Sequence, residues 1–159
     1  DGGMTWHYVQ GPGQFNDEAF KTVDHLFALA NRYGVRVIFD FTAEAGDYLG
    51  GIGTYAAHRG KKRQEFYTDA QVKDDYKATI RYVLTRTNTV TGVPYRDDKA
   101  LLAWQFGNEM NGAPPAWLSE MVPPVGKLSV ATMVSFDSRL LSPQSSTLTP
   151  FWDSVAEKL

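Results

Sequence analysis

The stretch Leu101-Leu102-Ala103-Trp104-Gln105-Phe106-Gly107-Asn108-Glu109-Met110-Asn111 constrains this chain more than any other. Leu101 to Phe106 is an almost uncharged apolar run of strand length, the pattern of a parallel strand buried on both faces by flanking helices. The run ends abruptly in polar residues. An amide, Asn108, and a carboxylate, Glu109, stand where the strand emerges, which is where parallel α/β folds collect catalytic groups.

The preceding sequence supplies the elements such a strand needs. Asn16 is a good N-cap, Asp17 and Glu18 put negative charge in a first helical turn, and Phe15 and Phe20 have the spacing of a hydrophobic staple. Phe20, Val23, Phe27 and Ala30 make one apolar stripe, and Gly34 suits the left-handed position that ends the helix. Val35 to Phe41 reads as a strand, and Thr42 to Tyr67, with Gly46, Gly50, Gly51, Gly53 and Gly60, as a long loop of the kind compact domains keep for function. A second helix opens at Thr68 as cap, runs to about Arg86 and buries Val72, Tyr76, Ile80, Val83 and Leu84. Strand, helix, strand is the βαβ pattern, so the two strands are expected to be parallel neighbours.

Beyond Glu109, Pro114-Pro115 starts a short helix with Trp117, Leu118 and Met121 on its apolar face, and Pro123-Pro124 ends it. Two regions follow from this: residues 1–121 as an α/β unit, and 122–159 as a divergent tail. The tail carries one strand-like alternation at Leu128 to Phe136 and one short helix capped by Thr149.

Composition narrows the function classes. With 43% hydrophobic and 21% charged residues, the 159-residue chain can bury a core, and its net charge of −2 offers no electrostatic case for nucleic acid or an anionic membrane. No apolar run approaches ~20 residues, so no bilayer span is expected, and Asp1-Gly2-Gly3-Met4 lacks the features of a signal peptide. There is no cysteine, and His7, His25 and His58 share no metal-ligand spacing, so neither a metal nor a cofactor is expected. The basic run Arg59-Gly60-Lys61-Lys62-Arg63 reads as a solvated loop, and Glu65 and Glu120 as surface charges.

A linked series of motifs resembles the endo-β-1,4-mannanase branch of the family 5 glycoside hydrolases. It comprises Pro12-Gly13 with Asn16-Asp17-Glu18, Gly50-Gly51 with Tyr55, Phe66-Tyr67-Thr68-Asp69, Val83 to Thr89, Gly92-Val93-Pro94-Tyr95-Arg96-Asp97-Asp98, and Trp104 with Asn108-Glu109. The resemblance covers about residues 8 to 121. It implies an eight-stranded (β/α)8 TIM barrel, of which this chain holds about strands three to four or five. It also implies that Glu109 ends the fourth strand as general acid/base, with Asn108 bonding the 2-hydroxyl of the sugar being cleaved. The chemistry suits these residue types: a carboxylic acid protonates the departing oxygen, and an amide strengthens its hydrogen bond as the ring gains oxocarbenium character. Such an acid needs a pKa above that of free Glu, from burial and a neighbouring carboxylate. Glu44, Tyr55 and Trp117 are the further candidates for sugar contact. The bland alternative is that Glu109 caps the following loop while Asn108 satisfies backbone groups.

Departures from the family pattern limit what the resemblance carries. Met110 replaces the usual proline after Asn-Glu, Glu44-Ala45-Gly46 replaces Asn-Asn-Trp, and His58 replaces a tryptophan. The last two remove platforms for stacking a sugar, which weakens mannan as the substrate while leaving the glycosidase class intact. A whole barrel takes about 250 residues, and retaining hydrolysis takes two carboxylates about 5–5.5 Å apart; no nucleophile is found after Met121.

The expected function is therefore retaining hydrolysis of a β-1,4-linked plant cell-wall polysaccharide, most closely mannan, by a secreted protein. The alternatives are a sugar-binding or inactive barrel fragment and a family 5 β-1,4-glucanase. The open edges of a partial sheet favour self-association. Because residues after Pro124 lose the family pattern, hydrogen exchange is expected to be fast from Val122 to Pro150; protection equal to that of Leu101 to Phe106 would instead indicate a genuine fifth strand.

Overall fold

The computed structural model describes residues 7–44, 50–110 and 112–121. The strand and helix expected within 122–159 lie outside these residues. In order, the elements are strands β1 (Val9–Gly11) and β2 (Gln14–Phe15), helix α1 (Asp17–Tyr33), strand β3 (Val37–Asp40), helix α2 (Ile52–His58) and a 3-10 turn (Arg63–Tyr67). Helix α3 (Ala70–Thr85), a 3-10 turn (Tyr95–Asp97), strand β4 (Leu101–Gln105) and helix α4 (Pro115–Met121) follow.

β1 and β2 form a small antiparallel pair around Pro12-Gly13, and β3 pairs with β4 in parallel. The parallel neighbours expected from the alternation of strand and helix are present. Val37 faces Leu101 and Asp40 faces Gln105, with a register shift after Val37. Burial on both faces does not hold. Ile38 and Leu102 are 46% and 56% exposed, because a two-stranded sheet with helices packed on one side leaves much of its other surface uncovered.

α1 forms as its sequence dictates. The Asn16 side chain accepts a hydrogen bond from the Ala19 N–H, and Gly34, at φ 69°, takes the left-handed conformation that costs a side-chain-bearing residue energy. Phe20, Val23, Phe27 and Ala30 are buried. Phe15 stacks on Tyr82 of α3, at 4.0 Å between ring centroids, and Phe20 packs against the same ring.

Two boundaries differ from the sequence reading. The cap of α3 is Asp69, not Thr68: its carboxylate accepts from the Gln71 and Val72 N–H groups and pairs with Lys61. The glycine-rich segment expected to be loop contains α2 and the first 3-10 turn, and α2 buries Ile52, Tyr55 and Ala56 at helical spacing. The basic run is the solvated segment expected, with Arg59, Lys62 and Arg63 exposed, but its charges are paired: Arg59 with Asp75, Lys61 with Asp69 and Arg63 with Glu44. Glu65 and Glu120 are surface charges as expected, each with a partner: Glu65 accepts from the Lys62 N–H, and Glu120 pairs with Lys73 and Lys77.

A buried ionic cluster ties α1 to the link before β4. Asp24, fully buried, accepts from Thr89 (2.7 Å), Arg86 (3.2 Å) and Tyr95, while Asn88 donates to the Asp24 carbonyl at 2.9 Å. Burial alone would raise the Asp24 pKa, but the hydrogen bonds from Tyr95, Thr89 and Arg86 outweigh it and the pKa is lowered. A depressed folded pKa means that this stabilisation is fully present above the unfolded carboxyl value of about 4 and is lost as pH falls through the folded one. Asp24→Asn leaves buried Arg86 with the exposed Asp17 as its remaining carboxylate partner and is expected to cost about 2–3 kcal/mol, read from the urea midpoint at neutral pH. A shift below about 1 kcal/mol would show that the cluster does not hold α1 in place.

Candidate active site

The β3–β4 ladder does not stop where the strands do. The Phe41 N–H donates to the Gln105 carbonyl (3.0 Å), Asn108 N–H to Thr42 (3.0 Å) and Glu44 N–H to Asn108 (2.9 Å), so that Ala43 forms a parallel bridge with Asn108. Two carboxylate residues, Glu44 and Glu109, are thereby carried to one rim, at the carboxyl ends of adjacent parallel strands.

Buried side chains fix this rim from below. Thr42 Oγ1 donates to the Gly50 carbonyl at 2.6 Å, the Ile52 N–H donates to Ala43, and the Tyr76 hydroxyl donates to the Phe106 carbonyl. Gly107 has no room for a side chain, since a Cβ there would come within 2.7 Å of Met110 and 2.9 Å of Thr42. Met110, in the place of the family's proline, turns inward and is buried against this glycine.

Glu109 is the only described residue other than glycine with a positive φ, at 55°. The left-handed backbone reverses the chain between buried Gly107 and buried Met110, and it leaves Asn108 and Glu109 both exposed. Such conformations cluster where a side chain is held for function. Among the described residues, none supplies the burial expected around Glu109 or bonds a second carboxylate to it.

Glu44, the other rim carboxylate, is engaged by residues that the sequence reading missed. Arg63 donates to its carboxylate and, at 3.0 Å, to its carbonyl, and the Tyr67 hydroxyl reaches Oε2 at 3.5 Å. Burial and then the adjacent Glu44 charge push the Tyr67 phenol up to about 12, so Tyr67 stays a proton donor at any ordinary pH. The pattern that pointed to this was Glu65 three residues after Lys62 and just before Phe66-Tyr67, a helical-turn signature hidden inside a basic run.

Tyr55 and Trp117 are not on the rim. Each is 2% exposed. The Tyr55 hydroxyl donates to Thr79 at 2.9 Å within the core, and burial raises its pKa well above the usual phenol value. Trp117 stacks on Tyr76, with ring centroids 5.6 Å apart, and touches Phe66, Tyr67 and Phe106. Sugar stacking needs an open ring face, and in this chain both rings instead form the packing beneath Phe106 and the 3-10 turn.

Among the described residues no three His, Asp or Glu side chains gather as metal ligands would, and no helix is long and apolar enough to cross a membrane.

Comparison with known proteins gives one consistent family. The group described as glycoside hydrolase family 5 beta-mannosidase-like matches residues 3–139. Mannan endo-1,4-beta-mannosidase 7 of Arabidopsis thaliana is 35% identical across 92% of this chain and 39% of its own length. Mannan endo-1,4-beta-mannosidase 1 of Oryza sativa subsp. japonica is 36% identical, over 74% of this chain and 32% of its own. An endo-beta-1,4-mannanase from Thermotoga petrophila superposes with a TM-score of 0.68 at 25% identity, covering 75% of this chain and 29% of that one. A glycoside hydrolase family 5 mannosidase from Rhizomucor miehei gives 0.71 at 23% identity, with 85% and 40% covered. The chain thus spans well under half the length of the relatives it matches, and its architecture is that of a partial (β/α)8 barrel.

The left-handed backbone at Glu109 is strained for any residue but glycine, so Glu109→Gly is expected to be more stable than Glu109→Ala by roughly 1 kcal/mol in urea denaturation. Equal midpoints for the two variants would show that the positive φ carries no strain.

Proposed function

The chain belongs to glycoside hydrolase family 5, in its β-mannosidase-like group, and on that premise we propose that the protein carrying it hydrolyses β-1,4-linked mannan with retention of configuration. The observation that supports this reading most is the placement of Asn108 and Glu109, exposed and side by side where two parallel strands end. Glu109 is the general acid/base. It donates a proton to the glycosidic oxygen as the bond to the sugar carbon breaks, a second carboxylate takes that carbon, and Glu109 then removes a proton from the water that releases the sugar. Asn108 donates to the sugar 2-hydroxyl. None of the described residues supplies the second carboxylate, which on this reading comes from the remainder of the barrel.

Mannan is preferred over a β-1,4-glucan because the relatives are named for mannan, although the stacking residues expected of a mannanase are replaced at Gly46 and His58. Secretion accompanies a cell-wall polysaccharide as substrate. Sugar binding without cleavage is the second reading, and the exposure of Glu109 among the described residues is what favours it.

Glu109→Gln keeps shape but cannot donate the proton, so mannan hydrolysis is expected to fall by on the order of 10²- to 10⁴-fold. The loss is smaller for aryl mannosides, whose leaving groups need little protonation. Equal residual activity on both substrates would remove Glu109 from the acid role, and no hydrolysis by the unmutated full-length protein would leave sugar binding as the function.

A further inference from the structure

The acid/base chemistry leaves one rim carboxylate unused. Glu44 stands one residue past the bridge between Ala43 and Asn108, and its own N–H donates to the Asn108 carbonyl at 2.9 Å. Its backbone is therefore fixed on the same rim as Glu109, one strand away. Two side chains of the 3-10 turn hold its carboxylate: Arg63 donates to Oε1, and Tyr67 reaches Oε2 at 3.5 Å. An ionised carboxylate has about four acceptor positions. The contacts from Arg63 and Tyr67 use two of them, one at long range, and the side chain keeps 22% of its surface open.

Charge decides which donors suit this acceptor. Arg63 balances Glu44, so the pair presents oriented oxygens with no net charge and no need to reorganise when a ligand arrives. An acidic sugar would set its own carboxylate against that of Glu44, and a cation would meet Arg63. Hydroxyl groups of an uncharged pyranose meet neither penalty.

We propose that Glu44, fixed by Arg63 and Tyr67, accepts hydrogen bonds from hydroxyls of the neutral hexopyranose unit that lies over β3, beside the unit cleaved at Glu109. Arg63 and Tyr67 are positioning residues that hold the acceptor. The proposal rests on Asn108–Glu109 being the cleavage site.

The test uses the full-length protein that carries this chain. Binding of mannotetraose is measured by calorimetry in the Glu109→Gln background, with and without Glu44→Gln, and kinetics are measured with Glu44→Gln alone. Glu44→Gln is expected to weaken mannotetraose binding on the order of 10-fold, with a matching rise in KM and a much smaller change in kcat. An aryl mannoside, which fills only the cleaved position, is affected far less. Arg63→Lys, which keeps the charge but not the paired contacts, gives a smaller loss in the same direction. Unchanged mannotetraose binding with an unchanged urea midpoint, or equal losses on the tetraose and the aryl mannoside, would overturn the proposal, as would absence of mannotetraose binding by the protein. If Glu109→Gln still hydrolyses mannan, the acid assignment fails by itself and the calorimetric comparison still decides the role of Glu44.

Discussion

The structure depends on a parallel backbone ladder that outlasts its strands. Four hydrogen bonds between residues 37–44 and 100–108, at Val37, Phe41, Asn108 and Glu44, lie outside the regular β3–β4 pairing and carry the register from the bottom of the sheet to its rim. Each contributes only about 1 kcal/mol net, so the ladder sets position more than it sets stability. The position is what matters: with it in register, Asn108 and Glu109 emerge beside Glu44; a slip by one residue would turn each of these side chains to the opposite face.

Stability comes from the helix side. Trp104 stacks on Phe41 at 5.0 Å and meets Phe39 edge-on at 5.6 Å, while Tyr76, Phe66 and Trp117 continue the aromatic packing under the rim. The other side of the sheet is different. Ile38 is 46% exposed, and one oxygen of Asp40 is buried without a hydrogen-bond partner among the described residues, its carboxyl pKa raised by burial. A buried carboxyl oxygen without a donor is a cost to the fold.

Most of the fold was legible because its signals are local. The cap at Asn16, the αL glycine at 34, the 3.6-residue stripes of α1 and α3, and the apolar run of β4 each act through neighbours a few residues away, and each appears where the pattern put it. What could not be read depends on distant partners. The pairing of the basic run could not be read because its acids lie elsewhere: Asp69 as the cap of α3, Asp75 inside that helix, and Glu44 just beyond β3. Tyr55 and Trp117 were candidates for sugar contact because of where they fall in the family pattern, whereas helix geometry turns both rings inward. The strain at Glu109 has no sequence signal, since a glutamate is an uncommon choice for a left-handed position.

The central claim is that the β3–β4 register places Glu109 to protonate a glycosidic oxygen. The most direct measurement is a crystal structure of the full-length Glu109→Gln protein with a mannooligosaccharide bound across the rim. The account predicts the substituted amide at this position within about 2.6–3.2 Å of a glycosidic oxygen, with a second carboxylate about 5–5.5 Å from that side chain on the far side of the sugar carbon. An oligosaccharide bound away from Asn108, or a substituted side chain turned from the glycosidic oxygen with no carboxylate opposite it, would contradict the account.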